Sequence, residues 1–96
     1  MIRSFTLGAV KWEVEVDNAR LDDRGAYGTT FFHSSKILLQ EKAQGVIRTA
    51  EAYEQTLYHE VVHAILDTLN ESELSNNEKF VQQFSVLLHQ FEKTKK

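Results

Sequence analysis

The chain has no cysteine, no proline, four glycines and one tryptophan. Without cysteine there is no disulfide, no thiolate zinc site and no thiol nucleophile, so any metal must be held by His, Asp or Glu. That usage suits a reducing compartment. No stretch approaches the roughly 18 apolar residues that span a bilayer, and the N-terminus has no basic region leading into an apolar one. A soluble, cytoplasmic protein without a membrane partner is expected. Positive charge is in short supply too: 11 Lys plus Arg against 14 Asp plus Glu leave a net charge of −3, poorly suited to neutralising phosphates. Nucleic acid is not an expected partner. The chain also lacks internal repeats and low-complexity tracts.

What is present suffices for one compact unit. A length of 96 residues with 42% hydrophobic and 26% charged side chains is a globular composition, too short for two ordinary domains, so residues 1–96 are expected to form a single domain. Val10, Trp12, Val14 and Val16 alternate with charged residues at the period of a half-buried strand. A two-residue turn at Gly8-Ala9 would pair Leu7 with Val10 and Phe5 with Trp12. Residues 17–26 carry turn formers without apolar periodicity and read as a loop. A second β pair is expected from Tyr27 to Gln40, with either Phe31 or Phe32 pointing inward. Residues 41–48 are ambiguous, because Gly45 weakens a helix there.

From Thr49 the period changes. Thr49 can cap a helix in which Tyr58, Val61, Val62, Ile65, Leu66 and Leu69 recur at helical spacing, ending near Asn70. After a polar stretch, Phe80, Phe84, Leu87, Leu88 and Phe91 form the apolar stripe of a second helix, with His89 facing away from it and expected to be solvated. The expected fold is therefore α+β: a small antiparallel or mixed twisted sheet packed against one helix and a second, C-terminal helix.

The chemistry lies in the first helix, at His59-Glu60-Val61-Val62-His63. Residues four apart on a helix share a face one turn apart, so both imidazoles can reach one ion. Glu60 projects from the same turn, where it can take a proton from an attacking water. With 4 His in 96 residues, chance would produce this pattern roughly 2% of the time. The histidines flank the apolar stripe.

A catalytic zinc site needs a third protein ligand. Asp67 lies about 12 Å beyond His59 along the helix, and can at best support His63 indirectly. No glycine follows Gly45, so the form in which a glycine turns the chain toward a third His is excluded. Glu78, opening the next helix, is the best candidate, although Ser75-Asn76-Asn77-Glu78 also reads as a capping box. Glu71 and Glu73 are substitutes in the loop.

HEVVH on one helix followed by a Glu opening a second resembles the gluzincin metallopeptidases. TLYHEVVHAIL and NEKFVQQFSVLL are similar to segments of small bacterial and phage proteins of the ImmA/IrrE type. The resemblance implies a small twisted sheet on the active-site helix, with Zn²⁺ held by His59, His63 and Glu78 and Glu60 as general base. It further implies a protein or peptide substrate, such as a transcriptional repressor, bound between that helix and an edge strand at about residues 28–32, with Phe31 or His33 lining the cleft. His33, Tyr27, Tyr53 and Tyr58 are the available oxyanion donors. Three readings follow: a zinc endopeptidase, a zinc-binding interaction module without hydrolysis, and a plain α+β interaction domain.

Overall fold

The computed structural model describes residues 2–96. In chain order the elements are β1 (Ser4–Leu7), β2 (Val10–Val16), α1 (Asn18–Arg24), β3 (Gly28–Phe31), β4 (Lys36–Leu39), β5 (Lys42–Ala43), β6 (Val46–Ile47), α2 (Ala50–Thr68), α3 (Ser72–Ser75) and α4 (Glu78–Thr94). The fold is α+β. Its main sheet has four strands in the order β1-β2-β4-β3, with β2 and β4 parallel and the other pairs antiparallel, so the sheet is mixed. Residues 41–48, ambiguous in sequence, form a separate two-stranded hairpin of β5 and β6.

The first hairpin has the expected register, Leu7 opposite Val10 and Phe5 opposite Trp12, and the Phe5 and Trp12 rings stack 6.0 Å apart. Gly8 supplies the positive φ of 61° that the tight turn requires. Only the middle of β2 is buried, however. Trp12 and Val14 enter the core, whereas Val10 and Val16, at the two ends of the strand, are exposed.

Residues 17–26 are not a loop throughout. Asp17 accepts from the Arg20 backbone N–H and caps α1, and Gly25 ends it in the left-handed conformation. One apolar residue is enough here: Leu21 is wholly buried. A single leucine cannot produce a visible period, which is why the helix escapes sequence reading. Arg20 and Arg24 lie over the Phe31 ring at 4.9 and 5.5 Å. Phe31 therefore belongs to the sheet face away from α2, while Phe32 reaches toward Trp12.

Helix α2 is the centre of the molecule and is buried along two stripes. Tyr53, Leu57, Val61 and Ala64 pack on Trp12, Val14, Ile37 and Leu39 of the sheet. Val62 and Leu66 pack on Val81, with Leu74, Phe80 and Leu88 around them. Thr49 caps the helix as expected, and Leu69 at its C-cap is exposed. Between the two stripes runs a strip of α2 bearing Thr56, His59, Glu60 and His63, bounded by β3 on one side and α4 on the other.

Helix α4 corrects two expectations. Its buried residues are Val81, Ser85 and His89, whereas Phe84, Leu87 and Phe91 of the apolar stripe are exposed. His89 is not solvated: Nδ1 lies 2.8 Å from Gln55 Oε1, Nε2 lies 2.8 Å from Glu54 Oε1, and the ring stacks on Tyr58. A hydrogen-bonded polar layer between α2 and α4 thus takes the place that periodicity assigned to apolar residues. The capping box is also replaced. Asn77 is the N-cap, accepting from the Phe80 N–H, and Ser75 belongs to α3.

Candidate metal centre

Freed from capping, Glu78 stands at the first turn of α4 and points back at α2. Its Oε2 lies 3.1 Å from His59 Nε2 and its Oε1 lies 3.0 Å from His63 Nε2. One ligand atom from each of the three residues lies within 4.8 Å of the others. Two donors each about 2.0–2.1 Å from a tetrahedral ion are separated by about 3.4 Å, so the spacing fits a shared cation. Glu71 and Glu73 are exposed and take no part in the cluster.

The remaining imidazole nitrogens are also engaged. His59 Nδ1 lies 2.7 Å from Gln82 Oε1, and His63 Nδ1 lies 3.1 Å from Ser75 Oγ. An Nδ1–H donated to these oxygens leaves each Nε2 lone pair aimed at the cluster, the usual arrangement behind a metal-bound histidine. His59 has acceptors on both nitrogens, Gln82 and Glu78. Two imidazoles and a carboxylate suit a first-row divalent ion better than calcium or magnesium, which prefer all-oxygen sets. The cluster could hold such an ion. The ring nitrogens sit on side chains 17% and 14% exposed, whereas the Glu78 side chain is 68% exposed, so the centre opens outward on that side.

Glu60 lies beneath the cluster and is only 6% exposed. The Thr30 hydroxyl lies 2.7 Å from Glu60 Oε1 and 3.1 Å from the Glu60 carbonyl oxygen. Burial pushes the Glu60 carboxyl above the ordinary carboxylate range. The Thr30 bond and the neighbouring His59 and His63 oppose that shift, while Glu78 reinforces it. Strand β3 comes this close because residue 28 is glycine. A Cβ there would lie 2.8 Å from Thr56 Cγ2 and 3.0 Å from Glu60 Cγ.

β3 is an edge strand of the sheet. Gln40 N–H donates to Tyr27 O at one end of its ladder. Counting in twos from that pair leaves the backbone polar groups of Gly28 and Thr30 on the free edge, beside Glu60. Two clefts follow this edge and share Gly28, His59 and Glu60. One, of about 410 Å³, includes Thr30, His63, Asp67 and Glu78. The other, of about 390 Å³, includes Tyr27, Arg48, Thr56 and Gln82. They form one groove across the cluster, with Arg48 the one Lys or Arg lining it. A larger cavity, about 760 Å³, lies elsewhere, lined by residues such as Ile2, Tyr53 and Leu57, and contains none of the cluster.

No family model, curated protein or solved structure matches this chain. The site must therefore be read from its own geometry.

The structure brings His59, His63, Glu60 and Glu78 together. Asp67 lines the groove, but Ser75, not Asp67, is hydrogen-bonded to His63. Of the four oxyanion candidates only Tyr27 borders the groove. His33 is exposed on the β3–β4 turn, Tyr53 packs in the core, and Tyr58 stacks on His89. Phe31 does not line the cleft, since it lies on the opposite sheet face. Sequence reading missed Thr30, Ser75 and Gln82. Gln82 alone left a signal, standing four residues after Glu78 on the same helix face.

Proposed function

We propose that this chain is a zinc metallopeptidase of zincin-like build, an endopeptidase that hydrolyses a bond in a protein or peptide laid along β3. The carrying observation is the convergence of two outward-aimed His Nε2 atoms and the Glu78 carboxylate directly over a buried, ligand-free Glu60. His59, His63 and Glu78 would hold the ion, with Gln82 and Ser75 fixing the imidazoles. Bound there, zinc would lower the pKa of an attacking water and polarise the scissile carbonyl.

The protein's own groups supply the rest. Glu60, held by Thr30 and outside the ligand set, accepts the proton of the attacking water and returns it to the leaving amine. Burial raises its affinity for a proton above that of a free carboxylate, the direction a general base needs. The outward N–H and C=O groups of Gly28 and Thr30 add an extended substrate to the sheet edge, giving affinity with loose sequence preference. By family resemblance, a repressor protein is a substrate class of this kind.

The test compares wild type with Glu60→Gln at matched zinc content on a mixed peptide library read by mass spectrometry. Glu60→Gln should hold zinc and cleave about a hundred- to ten-thousand-fold more slowly. Equal cleavage by both proteins would refute the mechanism. Full zinc loading with no cleavage by wild type would favour a zinc-binding interaction module instead.

A further inference from the structure

Helix α4 buries one face through Val81, Ser85 and His89 and leaves an apolar face in water. On that face Phe84 is 50% exposed, Leu87 65% and Phe91 59%. Phe80, whose ring lies 5.7 Å from that of Phe84, continues the row. Positions 80, 84, 87 and 91 are spaced by four, three and four residues, which are successive d and a positions of a heptad. At about 100° per residue this seam lies roughly opposite Glu78, Gln82, Ser85 and His89. It is separate from the metal cluster.

The seam does not resemble an ordinary solvated helix face. From Phe80 to Phe91 there is no Lys, Arg, Asp or Glu, although such residues are 26% of the chain. A helix face in water normally carries charge, and its loss with aromatic enrichment marks the core of an interface.

The pattern is self-complementary in one orientation. In an antiparallel helix pair, a positions meet d positions, so a second copy would set Phe84 against Leu87 and Phe80 against Phe91. The flanking charges agree. Glu71, Glu73 and Glu78 outnumber Lys79 at the N-terminal end of α4, and Lys93, Lys95 and Lys96 outnumber Glu92 at its C-terminal end, with Lys93 and Lys95 also paired to Glu54 and Glu92 of the same chain, so the two ends carry opposite net charge. An antiparallel copy brings acidic end to basic end twice and opposes the helix dipoles, whereas a parallel copy sets like charge on like. We propose that the exposed seam of α4 is a homodimer interface, in which the α4 helices of two copies pack antiparallel about a two-fold axis near Ser85 and Val86.

Sedimentation equilibrium of the full chain tests this. Between about 1 μM and 1 mM the mass should rise from 11.1 kDa toward twice that value. Leu87→Glu places a carboxylate opposite Phe84 of the second copy and should raise the dissociation constant at least about tenfold. Because Leu87 is exposed in the single chain, its circular dichroism, its zinc content and, at concentrations where both proteins are monomeric, its melting should not change. The chain has no cysteine, so orientation can be read by cross-linking. A mixture of Phe84→Cys and Leu87→Cys proteins should oxidise to the mixed disulfide faster than either variant forms its own. A mass of 11.1 kDa at every concentration would overturn the proposal. So would a dimer indifferent to Leu87→Glu, or faster cross-linking of the single variants alone.

Discussion

Thr30→Val removes one hydroxyl while keeping the β-branched shape and strand preference of the residue. That hydroxyl lies 2.7 Å from Oε1 of Glu60, a residue only 6% exposed. Among the described residues no other side chain is hydrogen-bonded to the Glu60 carboxylate. A hydrogen bond to a charged group contributes about 1.5–3 kcal/mol and one between neutral groups about 0.5–1.5 kcal/mol. In chelator-treated protein the substitution should therefore cost about 1.5–3 kcal/mol where Glu60 is ionised and about half that where it is protonated. The sign of the pH dependence follows. Burial raises the folded-state pKa of Glu60, so its favourable contribution is complete below the unfolded pKa and is lost as pH rises through the folded one. The Thr30 bond pulls that pKa down, so losing it extends the loss to higher pH. The variant should fall further behind wild type as pH rises from about 4 to about 8. Urea denaturation of both proteins in chelator across that range measures the gap. A gap under about 0.5 kcal/mol throughout, or one that narrows with rising pH, would refute the reasoning.

Two further substitutions test the rest of the site. Gln82→Met and Ser75→Ala should each weaken zinc affinity by about 10–100-fold in competition with a chromogenic chelator, since each frees an imidazole Nδ1; unchanged affinity would show that these contacts do not orient the ligands. Gly28→Ala should cost about 1–3 kcal/mol by forcing β3 away from Thr56 and Glu60, and should slow peptide cleavage while leaving the zinc content intact. Wild-type stability and cleavage in that variant would mean the strand relaxes freely.

The two histidines and Glu60 were recognisable because four-residue spacing on a helix is local geometry, and the same is true of the first hairpin and the Thr49 cap. Glu78 was a harder case. Along the chain its role as ligand and its role in a capping box are both consistent with the spacing. The choice went to Asn77 as cap because α3 occupies Ser75, whose hydroxyl reaches His63 instead. Thr30 gave no signal: a threonine in a β-rich segment satisfies strand preference whether or not its hydroxyl meets a carboxylate thirty residues away.

By itself, then, the sequence determined the α+β class, the hairpin register, the long helix and the pair of imidazoles on one of its faces. All of these follow from short-range periodicity and turn chemistry. Only the tertiary structure decided which face of α4 is buried. The competition there was between an apolar stripe and a polar layer of Ser85, His89, Gln55 and Glu54 whose hydrogen bonds cross between helices. Such bonds join residues thirty or more positions apart, so no short window along the chain contains both partners. The same holds for the closeness of Gly28 to Glu60, where a missing Cβ lets a strand edge descend onto the helix that carries the site.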